Sequence, residues 1–224
     1  SHELRTPIHQ ILSFSKFGID KINQVTKDKI LHYFKNINTI SRRLQSLLDD
    51  LLDLAKLESG KLDYDMQKND LKQIIDSVTN EFVFLVREKK LLFEITAEEI
   101  PTTIICDKNR ISQVIRNLIS NAIKFSPRSK KIAISITDGT LTNVKKVTDD
   151  KIISNIKVAI EDEGLGIPKK ELETVFDKFI QSSNTKTKVK GTGLGLAICK
   201  ELVEAHNGTI AAENKPEGGA KFSF

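Results

Sequence analysis

The chain has 224 residues, 39% hydrophobic and 29% charged, with a formal net charge of +5. That suffices for one large domain or two modest ones, while two tyrosines, no tryptophan and no zinc-ligand spacing exclude a dedicated nucleic-acid module. No apolar run reaches the length of a membrane span and no signal peptide is visible. Cys106 and Cys199, both in apolar contexts, read as buried reduced thiols of a cytoplasmic protein.

The chain opens Ser1-His2-Glu3-Leu4-Arg5-Thr6-Pro7: a histidine, a carboxylate beside it, a threonine one helical turn on, then proline. Ile8, Ile11, Leu12, Ser15, Ile19 and Ile22 follow at helical spacing. Asn23 to Asp28 is polar and reads as a turn. From Lys29 to Leu57 the residues Ile30, Phe34, Ile37, Ser41, Leu44, Leu48, Leu51 and Ala55 form a heptad seam, and Ile40, Leu47 and Leu54 add a second stripe. One partner helix cannot cover a stripe that wide. A dimer closing into a four-helix bundle can. Glu58-Ser59-Gly60-Lys61 ends the helix, so a domain of residues 1–60 is expected, followed by a second of residues 61–224.

The second half mixes periodicities. Leu71 to Lys89 reads as helical, Leu92 to Ala97 and Ile104 to Cys106 as strands, and Asp107 as the cap of a helix running to Phe125. Ile132, Ile134 and Ile136, then Ile156, Val158 and Ile160, alternate as half-buried strands. Asp138 to Asp150 reads as the long loop between them. Gly193 to His206 reads as a helix, and Thr209 to Ala212 and Lys221 to Phe224 as closing strands. This order predicts an α+β chain: a helical hairpin, then an α/β sandwich rather than alternating βαβ units.

Three groups of residues carry chemistry. Asn117 and Asn121 share one face of an otherwise apolar helix, with Lys124 a turn further on. They read as hard oxygen ligands for Mg²⁺ beside a charge for phosphate, or else as surface amides. Asp162-Glu-Gly164-Leu-Gly166-Ile-Pro168 follows a strand directly. Its carboxylate can accept from an exocyclic amine, and its glycines let backbone approach a flat base. Gly191-Thr192-Gly193-Leu194-Gly195 opens a helix, where N–H groups and the dipole favour an anion. It follows the Ser/Thr/Lys-rich stretch Ser182 to Lys190, not a strand, so it is not a dinucleotide fingerprint. His9, His32 and His206 sit at unrelated spacing and read as surface or structural.

Together these motifs, in this order, resemble the catalytic core of sensor histidine kinases of two-component systems across the whole chain. His2 to Pro7 is similar to the H box and Asn117 to Phe125 to the N box. Asp162 to Gly166 and Gly191 to Gly195 match the two glycine boxes, and Phe176 to Phe179 the F box between them. The resemblance implies a dimeric hairpin domain followed by a Bergerat-type (GHKL) ATP-binding sandwich. It implies His2 as phosphoacceptor with Glu3 orienting its ring, and Thr6 acting in dephosphorylation of a partner. Asp162, Gly164 and Gly166 would form the adenine pocket. Asn121 and Asn117 would hold Mg²⁺, and Lys124, Phe125, Gly191, Thr192, Gly193, Leu194 and Gly195 would surround ATP.

Gln181 to Lys190 resembles the mobile lid, with Gln181 where many relatives carry arginine. Phe176 and Phe179 would pack the lid, and Gly218-Gly219-Ala220-Lys221-Phe222 is a final motif that lacks the usual threonine. Related ATPases place a water-activating glutamate where this chain has Asn117, which fits transfer to histidine rather than hydrolysis. The expected activity is ATP-dependent autophosphorylation of His2 and transfer to an aspartate on a response-regulator receiver domain. The expected assembly is a homodimer without membrane contact by this fragment, cut from a longer, membrane-anchored or soluble sensor. The alternatives are a degenerate kinase acting as an ATP-regulated binding module and a pure ATPase.

Overall fold

The helical spacing of the first residues gives a hairpin in which α1 spans His2–Asp20 and α2 spans Lys27–Glu58. The structure is a computed structural model that describes residues 2–60, 62–139, 155–183 and 191–224, with the side chains of His2 and Glu3 outside the described set. The chain divides into two compact units, Ser1–Lys61 and Leu62–Phe224.

In the first unit α2 begins two residues earlier than the heptad seam suggests. Thr26 is extended, and its carbonyl accepts from the N–H groups of Lys29 and Ile30. Gly60, at φ +63°, follows the last turn in the left-handed conformation that ends helices. Tyr33 of α2 lies between Phe14 and Phe17 of α1, with ring centroids 6.1 and 6.2 Å away. Much of the apolar stripe is not covered: Leu12 is 59% exposed, Ile19 71% and Phe34 64%.

The second unit is a two-layer sandwich. A five-stranded mixed sheet has the order β2-β4-β5-β7-β6, with β2 (Leu92–Ala97), β4 (Lys131–Gly139), β5 (Asn155–Glu161), β6 (Ala211–Asn214) and β7 (Ala220–Ser223). Only the β2–β4 pair is parallel. Ile132, Ile134 and Ile136 of β4 and Val158 and Ile160 of β5 are buried, as their alternation predicts. The opposing layer is α3 (Leu71–Glu81), α5 (Lys108–Phe125) and α6 (Gly195–Ala205), which contribute Ile75, Ile115, Leu118, Ile119, Ile198 and Leu202 to the same core.

Several elements of the second unit differ from the reading of the sequence. Leu71 to Lys89 is two helices, because the N–H of Phe82 turns back tightly to the carbonyl of Thr79 and α4 (Val83–Lys89) starts anew. β1 (Gln67–Asp70) pairs antiparallel with β3 (Thr103–Cys106) as a separate ribbon. The last helix starts at Gly195 rather than Gly193. After it, Gly208 N–H closes onto the carbonyl of Val203 with Asn207 at φ +59°, and this delays β6 to Ala211. The expected loop Asp138 to Asp150 begins with two residues that still belong to β4, and the rest lies outside the described residues.

Asp107 caps α5 as predicted. Its Oδ1 accepts from the N–H groups of Asn109 and Arg110 at 2.9 and 3.1 Å. Its Oδ2 accepts from Asp65 N–H at 3.1 Å. His206, structural as expected, accepts from Asp107 N–H on Nε2 at 3.0 Å, and its Nδ1 lies 2.7 Å from the carbonyl of Leu202. Both ring nitrogens are thereby used, which selects the Nδ1–H tautomer. Asp107 thus joins the start of α5 and the segment entering the second unit through its carboxylate, and the end of α6 through its backbone N–H.

Candidate nucleotide site

The site lies where the C-terminal half of α5, the loop after β5 and the start of α6 meet. Asp162, at the end of β5, is 4% exposed. Its Oδ1 accepts from Gly164 N–H at 2.7 Å and from Ala220 N–H at 3.2 Å. Both bonds fall on one oxygen, so Oδ2 remains for a further donor such as an exocyclic amine. The backbone of Ala220 secures Asp162 a second time through Asp162 N–H to Ala220 O at 2.9 Å. Gly219, at φ +95°, lies so close to the Asp162 carbonyl that any Cβ would overlap it. No side chain is tolerated against this stretch of backbone.

Burial pushes the Asp162 carboxyl above the usual carboxylate range, against the pull of its two amide donors and of Lys215. The folded chain therefore holds this proton more tightly than the unfolded chain. The stability it contributes is fully present below the unfolded pKa of about 4 and is lost as pH rises through the higher folded value. Above that folded value the fold carries a buried charge. Asp162→Asn keeps an Oδ1 acceptor and removes that charge. Its melting temperature is expected to exceed the parent's by a few degrees at neutral pH, with the difference vanishing below about pH 4 in thermal melts.

On the other side, Asn117 of α5 donates from Nδ2 to the carbonyl of Gly195 at 3.3 Å. The Lys124 Nζ lies 3.0 Å from where a Cβ on Gly191 would stand, and 4.9 Å from the centre of the Phe125 ring. The Phe125 carbonyl would meet a Cβ on Gly164 at 2.8 Å, so α5 touches both glycine segments. Asn121 is half-buried one turn on from Asn117 on the same face. Gly193, at φ +72°, packs against the backbone of Phe179 and Ile180, and its carbonyl accepts from Phe179 N–H at 2.8 Å. Gln181 donates from Nε2 to the carbonyl of Gly191 at 3.0 Å. Thr192 Oγ1 accepts from Leu194 N–H at 3.3 Å, and Leu194 is fully buried.

The residues 106–224 match the family of histidine kinase-, DNA gyrase B- and HSP90-like ATPases, and residues 1–60 match the His Kinase A (phospho-acceptor) domain. The chain belongs to the histidine kinases. Hybrid signal transduction histidine kinase L of Dictyostelium discoideum is 33% identical over 227 residues, covering 100% of this chain and 12% of that protein. The kinase core spans between 12% and 35% of the length of such curated relatives. Among solved structures, Acinetobacter baumannii histidine kinase AdeS superposes with TM-score 0.72 at 27% identity, over 100% of this chain and 95% of that one. Histidine kinase ThkA, solved in complex with response regulator protein TrrA, shares the fold with TM-score 0.74 at 24% identity, over 100% of this chain and 58% of that one.

In the kinase, the expected adenine-side and phosphate-side residues thus fall together in the second unit. Helix α1 carries His2 and Glu3, whose side chains lie outside the described residues, and Thr6, which lines a shallow groove with Arg5, His9, Gln10, Ser13 and Phe14. Residues 184–190 of the expected lid also lie outside the described residues. The F-box aromatics do not act as a pair. Phe176 is buried edge-on against Phe222 at 6.3 Å, whereas Phe179 is 45% exposed at φ +64° and contributes its backbone to the glycine loop. Two residues escaped the sequence reading. Lys89 donates to the carbonyls of Ile123, Lys124 and Ser126 at 2.7, 3.2 and 3.3 Å, capping α5 beside the site. Asn214 binds the loop after Asp162.

Proposed function

We propose that this chain binds ATP with Mg²⁺ in the second unit, transfers the γ-phosphoryl group to His2, and passes it to an aspartate of a receiver domain. Residues 1–60 form the dimerisation and phosphoacceptor domain, and residues 61–224 the ATP-binding domain. The observation that carries this reading is the convergence on α5 of a buried carboxylate, two amide side chains, a lysine and two glycine-rich segments. A phospho-acceptor domain stands in the same chain.

Asp162 Oδ2 accepts from the adenine amino group, with Gly164 and Gly166 keeping the pocket open. Gly191 to Gly195 present N–H groups to the phosphates, and Lys124 neutralises charge there. Helix α5 carries no carboxylate, and its half-buried amides Asn121 and Asn117 suit a cation that shares its shell with phosphate oxygens. Bound Mg²⁺ would supply charge neutralisation on the phosphates. One ring nitrogen of neutral His2 forms the N–P bond as the bridging P–O bond to ADP breaks, and Glu3 holds the other ring N–H. A cytoplasmic setting suits this chemistry, and none of the described helices is long and apolar enough to cross a membrane. To test transfer, labelled chain is freed of ATP and mixed with a receiver domain. Label should move to the receiver, and its retention on the chain would defeat the phosphotransfer step.

The uncovered apolar stripe supports a homodimer through Ile8 to Leu57, since exposed patches of this kind mark association. Sedimentation at micromolar concentration is expected to give twice the chain mass, and a stable monomer contradicts it. Thr6 lies one turn from His2 and lines a shallow groove with Arg5 and His9. Thr6→Ala is expected to spare autophosphorylation and to slow loss of phosphate from the phosphorylated receiver about tenfold or more, read from its decay rate.

A further inference from the structure

Asn214, the last residue of β6, reaches 47 residues back to the loop that follows Asp162. Its Oδ1 accepts from Ile167 N–H at 2.7 Å, and its Nδ2 donates to the Ile167 carbonyl at 2.6 Å. A side-chain amide bonded to both polar groups of one residue reproduces a short piece of strand pairing. It fixes the plane of the peptide groups and not merely their distance. The same Oδ1 lies 2.8 Å from the position of a Cβ on Gly166, which is held at φ +66°. The loop is pressed against Asn214 as closely as a glycine permits.

The other end of this loop is fixed by Asp162 Oδ1 through Gly164 N–H. Between the two anchors lie only Leu165, 67% exposed, and Gly166. The loop thus has two side-chain clamps, Asp162 at its start and Asn214 at its end. The residue that clamps its end is also one strand residue from Glu213, which pairs with Lys221 of β7. Ala220 of β7, which pairs with Asn214 itself, donates its N–H to Asp162. The two clamps are therefore joined through one rung of the sheet.

We propose that Asn214 is a positioning residue for the adenine-nucleotide pocket, setting the height of the Gly164–Ile167 backbone relative to Asp162. It acts through the loop and contacts no reacting atom. This inference rests on Asp162 and its loop being the base side of the ATP site.

The test measures, on the full chain, the affinity for ATP and GTP by displacement of a fluorescent nucleotide, the steady-state KM and kcat, and the melting temperature. Asn214→Ala removes both bonds and is expected to weaken ATP binding about tenfold and to narrow the preference for ATP over GTP. The loss should fall on KM and not on kcat, since the phosphate-side groups on α5 are untouched. Asn214→Asp keeps the acceptor and loses the donor, and is expected to fall between the alanine variant and the parent. Should the alanine variant fail to fold, the Asp variant carries the same readout. A lowered melting temperature with unchanged ATP affinity and unchanged base preference overturns the proposal, because a purely structural residue behaves in that way. Asp162→Ala is measured beside it. If that variant binds ATP like the parent, the base-site reading itself fails. If it loses binding while both Asn214 variants bind normally, only the role of Asn214 fails.

Discussion

His2→Ala is expected to abolish acid-labile labelling of the chain by γ-labelled ATP, while nucleotide affinity stays within about twofold of the parent. The two effects separate because they belong to different groups. The imidazole of His2 is the proposed nucleophile toward the phosphoryl group. The proposed nucleotide recognition rests on Asp162, the two glycine segments and the amides of α5, all within Leu62–Phe224. Labelling and equilibrium nucleotide binding are measured on the same preparation. Acid-labile label retained in the variant would remove His2 from the mechanism.

Asn121→Ala is expected to lower Mg²⁺-dependent turnover about a hundredfold or more, the scale of losing a charge-stabilising metal contact at the phosphates. The side chain is half-buried on the face of α5 that also presents Asn117 and Lys124, and truncation leaves the helix intact, since alanine is the best helix former. Ser120→Ala, at the exposed neighbouring position, serves as the control and should leave the rate unchanged. Rates are read across a Mg²⁺ titration. An unaltered metal dependence in Asn121→Ala would count against α5 as the metal-bearing helix.

The sequence carried the large features because they are local. The seam along α2, the alternation in β4 and β5, and the Asp107 cap are each written within a few residues. β1 was missed because Gln67-Lys68-Asn69-Asp70 has no apolar residue to alternate. Its pairing with β3 comes from backbone bonds, reinforced by the Asn69 side chain, whose Nδ2 donates to Cys106 O at 2.9 Å. The break at Phe82 is hidden by apolar residues that continue at helical spacing, although Phe84 ends 76% exposed.

The site divides in the same way. Glycines and asparagines at fixed spacing led to the proposed phosphate side, and Asp162 at a strand end to the proposed base side. The exposed position of Phe179, by contrast, depends on a left-handed φ that no local signal requires of phenylalanine. Lys89 and Asn214 act across 34 and 47 residues of sequence. Contacts of that kind become visible only when the strands and helices are in place.

The central claim is that this chain moves the γ-phosphoryl group of ATP onto its own histidine. The most direct measurement is incubation with γ-labelled ATP and Mg²⁺, followed by acid and alkali treatment of the protein and counting of free phosphate. The account predicts label on the chain that survives alkali and is lost in acid, with little free phosphate. Release of free phosphate without protein label, or bound nucleotide without either, would contradict it.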